Sequence, residues 1–178
     1  MSLEQALLAD GVPPDKLYPL DVDRAFQSLD KIKPHILTWF KNTTQAAQLV
    51  SQQEVDLIAT SNARTYFLKQ GGIPVGVEMN QAITDKSFWV VLKGTKHKAT
   101  AMKLINYITR AKRQADWVNS YPMVVVNKTA YDFVKPEILA FLPTSPQNVN
   151  KIVWLNSQWW ADNEANMFEK WNEWIMKK

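Results

Sequence analysis

The residue types that carry most enzyme chemistry are scarce in this sequence. It has no cysteine and only two histidines, His35 and His97, neither of which has a carboxylate three or four residues further along. A metal site, a cysteine nucleophile and a histidine-dependent triad therefore lack their usual residues. The five glycines form neither a phosphate-binding loop nor the G-x-S-x-G turn of hydrolases. The sequence thus predicts a protein that is not an enzyme and that needs no metal or cofactor.

Polar side chains are instead grouped where predicted strands end, and α/β proteins form their ligand clefts at strand ends. Ser61, Asn62 and Arg64 follow the predicted strand 55–59. They stand at the start of a predicted helix, where backbone N–H groups can meet a polar ligand. An equally good interpretation is that Ser61 and Asn62 only cap that helix.

Three further candidates lie beside another predicted strand and in a connection. Asp85 and Ser87 stand at the beginning of the predicted strand 87–92, and Tyr121 precedes Pro122. For Tyr121 a packed turn is the simpler interpretation, and a ligand contact is the second one.

The elements that must position these residues follow an α/β pattern, because short predicted strands alternate with helices. Strands are predicted over 55–59, 74–78 and 87–92. Apolar residues at helical spacing predict helices over 3–9, 22–32, 44–50, 63–70, 99–109 and 111–118, and from about residue 160 to the end. Asp21 is expected to cap the second helix and Thr43 or Thr44 the third, and Gly71-Gly72 should end the fourth.

Composition fits a soluble folded protein. The 178 residues are 46% hydrophobic, and no run approaches the roughly 18 apolar residues of a membrane span. The net charge is +4, and the basic stretch 93–113 is interrupted by apolar residues at helical spacing. That spacing favours a solvated helix face over a nucleic-acid-binding stripe. Met1-Ser2-Leu3 does not begin a signal peptide, because no cationic and apolar regions follow it.

Several motifs, in one consistent order, resemble a known family. Residues 54–64 (E-V-D-L-I-A-T-S-N-A-R) resemble the "G-E-V…N-G-R" segment of the extracellular solute-binding proteins of spermidine/putrescine-type ABC transporters. Residues 101–107 (A-M-K-L-I-N-Y) are similar to that family's "A-x-K-L-I-N-F" helix, and Tyr121-Pro122 falls at its "G-Y-P" turn. Residues 7–21 and the Trp-rich C-terminus also fit. The match corresponds to about the second half of such a protein.

The resemblance implies a type II periplasmic-binding-protein architecture of the α/β class, represented here by one lobe and part of the other. In that fold two lobes joined by crossing strands close on a ligand. It places 1–80 in the second lobe and 81–145 in a crossing strand and return segment of the first lobe. Residues 146–178 form a C-terminal segment with an aromatic helix that packs on the second lobe.

The implied function is that of the substrate-binding component of an ABC transporter. Such a protein captures a small solute in the periplasm and delivers it to a permease in the inner membrane. It neither spans the membrane nor binds nucleic acid, and the full-length protein is expected to carry a signal peptide. In polyamine binders, carboxylates pair with the ammonium groups and aromatic rings enclose the methylene chain.

Carried over by position, the resemblance implies a changed cleft. Ser61 stands where the family has a cleft Trp, while Asn62 and Arg64 match its Asn and Arg. Asp85 and Ser87 stand where the family has a Trp and an amine-binding Asp two residues apart.

Two more positions complete the implied site. Tyr121 matches a cleft Tyr, and Gln158 or Trp159 falls near a late cleft Gln. With one aromatic wall lost and the carboxylate shifted, a monovalent or neutral amino-acid-like solute becomes as well supported as a polyamine. An anion binder that uses Arg64 also stays open, and so does the ligand-sensing effector domain of a regulator, although no helix-turn-helix is present.

Overall fold

The structure, a computed structural model, describes residues 1–177, and helices predominate among them. In chain order the helices are α1 (Ser2–Ala9), α2 (Val22–Ile32), α3 (Thr43–Ser51), α4 (Asn62–Gln70), α5 (Lys98–Ile108), α6 (Ala111–Ser120), α7 (Pro136–Leu139) and α8 (Ser157–Met176). Three 3-10 segments cover Pro14–Lys16, Lys33–His35 and Lys128–Phe133. Within the described residues there are two short strands, β1 (Ile83–Thr84) and β2 (Val153–Trp154).

The chain divides into two compact units. The first comprises Met1–Leu37, Ile83–Lys86 and the chain from Val153 onward, and the second comprises Thr38–Ala82 and Ser87–Ile152. The predicted segments 1–80 and 81–145 are each distributed over both units, so the compact units do not follow the predicted boundaries. The assignment of these segments to the lobes of a longer protein stays a prediction.

The first unit is built on α1 and α2, which pack against each other. Leu3, Leu7, Leu17 and Leu29 are among its buried side chains. Strands β1 and β2 pair in parallel within this unit, with Ile83 opposite Val153. Parallel pairing of strands that lie far apart in sequence is the connection expected of an α/β fold.

Helix α8 of the first unit presents an aromatic stripe to α2. The ring of Phe26 lies 6.4 Å from that of Trp171 and 5.6 Å from that of Trp174. The indole N–H of Trp174 donates to a carboxylate oxygen of Asp30 at 2.7 Å, and the Lys33 ammonium lies 4.4 Å from the same ring's centroid. The predicted terminal helix therefore forms, with Trp171 and Trp174 packed on α2.

The second unit has its own core, formed where α6 packs against the 3-10 segment Lys128–Phe133. Its members are buried aliphatic residues: Ala115, Val118, Val125, Ala130, Val134, Ile138 and Leu142. Tyr131 packs against this cluster and donates its hydroxyl hydrogen to the backbone carbonyl of Thr144. Burial raises the pKa of Tyr131.

The helix caps agree with the sequence in two cases of three. Asp21 accepts a hydrogen bond from the backbone N–H of Arg24 at 3.1 Å, and Ser61 accepts one from Arg64 at 3.4 Å, as predicted. Helix α3, however, is capped by Asn42, whose side-chain oxygen accepts from the backbone of residues 44 and 45 at 3.1 and 2.9 Å. The predicted caps Thr43 and Thr44 are instead the first two residues of the helix.

The three predicted strands are wrong for the described residues. Segments 55–59, 74–78 and 87–92 contain no strand, and most of their residues are exposed. A strand needs a neighbouring strand to satisfy its backbone groups. Along these segments the described chain offers none. Even so, the parallel pairing of β1 with β2 among the helices confirms the α/β class. No helix within residues 1–177 is both long and apolar enough to cross a membrane.

Candidate ligand-binding site

In the second unit, the start of α4 brings together four of the residues predicted from the sequence. Asn62 donates both amide hydrogens within the unit, to the carbonyls of Pro122 at 3.0 Å and of Phe141 at 2.7 Å. These bonds fix the Tyr121-Pro122 turn beside α4, so Ser61, Arg64 and Tyr121 lie around one helix start. Asn62 therefore has a structural role, and its side-chain oxygen is the group left for a ligand.

The ring of Tyr121 is supported on one side and open on the other. It lies 5.5 Å from the ring of Phe67 in α4, and the side chain is 41% exposed. Such a ring can cover the apolar part of a ligand while its hydroxyl stays in water.

Arg64 is half-buried at the N-terminal turn of α4. Within residues 1–177 its guanidinium makes no ion pair or side-chain hydrogen bond. An unpaired guanidinium at a helix start favours a carboxylate or another anion. Ser87, the other predicted residue of this unit, is exposed, and no side-chain hydrogen bond connects it to α4 within the described chain.

In the first unit, Asp85 lines a surface depression of about 450 Å³ together with Met1, Leu155, Ser157, Trp160, Ala161 and Glu164. The N-terminal ammonium of Met1 pairs with Glu4, at 3.2 Å from Oε2. The Ser157 hydroxyl donates to Asp85 Oδ1 at 3.0 Å and fixes the orientation of the carboxylate. Neither Asp85 nor Glu164 makes an ion pair within the described residues. The neighbouring Lys86 ammonium lies instead over the ring of Trp154, at 5.1 Å from its centroid.

Gln158 and Trp159, the other two predicted residues of the first unit, differ in their contacts. Gln158 is exposed and donates to Asp162 at 3.0 Å, one helical turn further along. Trp159 is half-buried, with its ring centroid 5.8 Å from that of Tyr18 and 5.3 Å from that of Trp160. Trp159 is thus part of an aromatic cluster, and Gln158 belongs to the helix surface.

Glu4 holds this aromatic cluster together. It is fully buried, and its Oε1 accepts hydrogen bonds from the Tyr18 hydroxyl at 2.7 Å and the Trp160 indole N–H at 2.6 Å. Burial raises the pKa of Tyr18 to about 12, and the Glu4 carboxylate adds to the rise.

Glu4, Tyr18 and Trp160 are absent from the residues selected from the sequence. The sequence does contain one indication that Glu4 is buried. It shares a helix face with Leu7 and Leu8, which follow three and four residues later. A carboxylate on an apolar face requires buried partners. Residues 1–177 contain no group of three or more His, Cys, Asp or Glu side chains that could hold a metal ion.

Comparison with known proteins identifies the family. Residues 1–144 match the family model described as bacterial extracellular solute-binding protein. The chain is 30% identical to the gamma-aminobutyric acid-binding protein of Pseudomonas aeruginosa over 99% of its own length and 51% of that protein. It is 26% identical to the spermidine/putrescine-binding periplasmic protein of Salmonella typhimurium over 86% of this chain and 44% of that protein.

A solved structure gives the same result for the fold. The structure described as the Atu4243-GABA receptor is 36% identical in sequence, with a TM-score of 0.82, and the match covers 100% of this chain and 55% of that one. The chain thus spans about half the length of the relatives it matches. These are solute-binding proteins rather than enzymes, and the chain belongs to the bacterial extracellular solute-binding protein family.

Proposed function

We propose that this chain is part of the substrate-binding component of an ABC transporter and that its ligand is a small solute with a protonated primary amine. The solute is captured in the periplasm and handed to a permease in the inner membrane. Family membership supports the transport role. The observation that carries the ligand class is the depression of the first unit, where two carboxylates without ion-pair partners lie beside an indole ring.

The chemistry of that depression suits an ammonium group. Asp85 and Glu164 supply negative charge, and the Trp160 ring supplies a cation–π surface. Ser157 pre-orients Asp85 through its 3.0 Å hydrogen bond, which lowers the cost of ordering the carboxylate on binding. Trp159 and the exposed Gln158 are adjacent on α8, and we propose that they contact the methylene chain and polar end of the same solute.

The ligands for which two relatives are named narrow the class of solute that we propose. Gamma-aminobutyric acid and the polyamines share a primary ammonium on a short methylene chain. They differ at the other end, which is a carboxylate in the first and a further amine in the second. We favour the amino-acid-like solute, because the relative named for gamma-aminobutyric acid is the more similar one over nearly the whole chain.

A separate observation supports a carboxylate-binding role for the second unit. Arg64 has an unpaired guanidinium at the start of α4, beside Ser61 and the exposed ring of Tyr121. We propose that these residues, with the side-chain oxygen of Asn62 and with the exposed Ser87, recognise the polar or anionic part of a solute.

Nuclear magnetic resonance titration tests the amine assignment directly. Gamma-aminobutyric acid, putrescine, butylamine and butyrate are added to the 178-residue chain while the indole N–H signal of Trp160 is followed. The three amines should shift this signal, and butyrate, which lacks the ammonium, should not. Because the chain spans about half of its relatives, we expect dissociation constants weaker than about 1 μM.

Matched variants separate the site from general charge. Asp85→Asn should reduce the affinity for butylamine, because it removes the carboxylate held by Ser157. Glu169→Gln, an equal change of charge on the exposed surface of α8, should not. An equal response to butyrate and butylamine would contradict the proposed amine site, and salt-dependent retention of DNA would favour a regulator's effector domain.

A further inference from the structure

A lysine side chain stands at the rim of the depression of the first unit. Lys86 directly follows Asp85, which lines the depression, and its ammonium lies 5.1 Å from the centroid of the Trp154 ring. Trp154 in turn directly precedes Leu155, another lining residue. Consecutive Cα atoms are about 3.8 Å apart, so the Lys86–Trp154 pair lies beside the proposed amine site.

The pairing of β1 with β2 fixes the place of this contact. Thr84 lies opposite Trp154, and the Leu155 backbone N–H donates to the Thr84 carbonyl at 2.9 Å. The Trp154 ring is therefore held next to the chain that carries Lys86. The face of an indole ring attracts an ammonium within about 6 Å, and this attraction restricts a side chain that otherwise samples many rotamers. Trp154 thus keeps a positive charge in one place.

The positive charge at the rim does not neutralise the carboxylates of the depression. Asp85 Oδ1 accepts hydrogen bonds from the Lys86 backbone N–H at 2.6 Å and from the Ser157 hydroxyl at 3.0 Å. Within residues 1–177, however, the Lys86 ammonium forms no ion pair with Asp85 or Glu164. The depression therefore keeps its negative charge, while a separate positive charge stands beside it.

This arrangement of charges acts on both ends of a short solute. A solute whose ammonium binds Asp85 and Glu164 has its other end only a few bonds away. At an ionic strength of about 0.1 M, charges interact over a Debye length of about 10 Å. The far end of a four-carbon solute is then close enough to sense the ammonium of Lys86.

We propose that Lys86, held by Trp154, is a specificity-determining residue that distinguishes solutes by the charge at the end away from the bound ammonium. This inference rests on the proposed amine-binding function of the depression. The Lys86 ammonium attracts a carboxylate at that end and repels a second ammonium. The depression therefore selects an amino acid with a terminal amine over a diamine of the same length.

Three solutes that share one ammonium and a four-carbon chain test the proposal. Gamma-aminobutyric acid, putrescine and butylamine end in a carboxylate, an ammonium and a methyl group. Each is titrated into the 178-residue chain at about 0.1 M salt, and the indole N–H signal of Trp160 is followed. Relative to butylamine, Lys86→Gln should weaken gamma-aminobutyric acid by about two- to fivefold and strengthen putrescine by a similar factor. Because butylamine carries no charge at its far end, it serves as the reference for each variant.

A matched change of charge supplies the first control. Lys177→Gln alters an exposed lysine just beyond the end of α8, thirteen residues after Glu164. At about 1.5 Å per residue it lies about 20 Å along the helix from Glu164, which is about two Debye lengths. This variant should leave both ratios unchanged. In about 1 M NaCl the difference between wild type and Lys86→Gln should disappear, since the Debye length falls to about 3 Å.

Variants of Trp154 test whether the ring positions the lysine. Trp154→Leu keeps the charge of Lys86 but frees its side chain, so both ratios should move toward those of Lys86→Gln. Trp154→Phe keeps an aromatic face and should restore most of the discrimination. In the Lys86→Gln background, Trp154→Leu should have no further effect on the ratios, because no ammonium is left to hold.

The outcomes separate this inference from the proposed function. If the wild-type chain binds neither amine more strongly than butyrate, the amine site is wrong, and the role of Lys86 falls with it. If the amines bind but both ratios are the same in wild type and Lys86→Gln, the role of Lys86 alone is wrong. Ratios that move in the same direction for gamma-aminobutyric acid and putrescine would also overturn it, since a charge at the rim must act on them with opposite sign.

Discussion

Helix α8 of the first unit and residues 88–92 of the second unit (Phe-Trp-Val-Val-Leu, here called the apolar segment) are similar in residue type but opposite in environment. Trp171 and Trp174 of α8 pack on Phe26, and the Trp174 indole N–H has a carboxylate acceptor in Asp30. Phe88 and Trp89 of the apolar segment are exposed. Aromatic side chains carry a large apolar area wherever they occur. Whether that area is buried depends on a neighbouring element, which α8 has in α2.

The polar groups of the two units follow the same rule. In the first unit the buried Glu4 receives two hydrogen bonds from side chains 14 and 156 residues away. In the apolar segment, the backbone groups from Phe88 to Val91 make no hydrogen bond to another backbone group within the described chain. A buried polar group without a hydrogen-bond partner costs free energy. A segment whose backbone is unpaired therefore stays in contact with water and does not join a closed core.

Truncating one leucine in each unit gives the largest contrast. Leu7→Ala removes a side chain that is only 1% exposed, and the resulting cavity should lower the free energy of unfolding by about 2–5 kcal/mol. Leu92→Ala removes one that is 77% exposed and should change it by about 0.5 kcal/mol or less. Urea denaturation followed by circular dichroism measures both. A large loss from Leu92→Ala would show that the apolar segment is already packed in solution.

The buried carboxylate offers a smaller and more local test. Glu4→Gln keeps the shape of the side chain but removes its charge. The hydrogen bonds to Tyr18 and Trp160 lose their ionic character, and the ion pair with the N-terminal ammonium of Met1 is lost. We expect a loss of stability of about 1–2 kcal/mol. The pKa of Tyr18 should fall below its present value of about 12 and stay above its ordinary value, because burial remains the main cause of the shift.

Tyrosinate absorbance during an alkaline titration reports on Tyr18, with the variant Tyr18→Phe identifying its contribution. Asp162→Asn provides the control, since Asp162 lies on the exposed surface of the same α8 that carries Trp160. An unchanged Tyr18 titration in Glu4→Gln would mean that the carboxylate does not hold the aromatic cluster.

The helices could be predicted from the sequence because their signals are local. Asp21 and Ser61 cap α2 and α4 as predicted, since a cap needs only the next three residues. Asn42 escaped prediction because the two threonines beside it are equally good caps by type. Helix α8 begins at Ser157, three residues before the predicted start at Trp160, because Asn156 caps it through the backbone N–H of Trp159.

Strands and site partners could not be predicted in the same way, because they depend on residues far apart in the chain. β1 pairs with β2 across 70 residues, and the pattern around Ile83 is too short to mark a strand. Asn62 was selected as a ligand contact, yet its amide hydrogens bond carbonyls 60 and 79 residues away. Sequence position suggested the right helix start but could not reveal which atoms of Asn62 were already engaged.

The pH dependence of stability should distinguish the surface ion pairs of Asp10 from the buried hydrogen bonds of Glu4. Of the three predicted changes in stability, we expect this one to be the smallest. Lys31 and Arg24 pair with Asp10 at 2.7 Å each and lower the pKa of its carboxyl group. A lowered folded pKa means that this contribution is complete above the ordinary Asp value of about 3.9 and is lost as the pH falls through the folded value. Asp10→Asn should therefore lower Tm slightly at neutral pH and flatten the fall of Tm below about pH 4.

Salt distinguishes this ion pair from the Glu4 network. Because Asp10, Arg24 and Lys31 contact water, about 1 M NaCl should screen most of the difference between wild type and Asp10→Asn. Most of the effect of Glu4→Gln should persist at the same salt, since Glu4 is fully buried and salt screens only its ion pair with the exposed N-terminal ammonium of Met1. Thermal melts of the three proteins at low and high salt make the comparison. Equal screening of both variants would mean that solvent reaches Glu4 and that the first unit is less closed than its packing indicates.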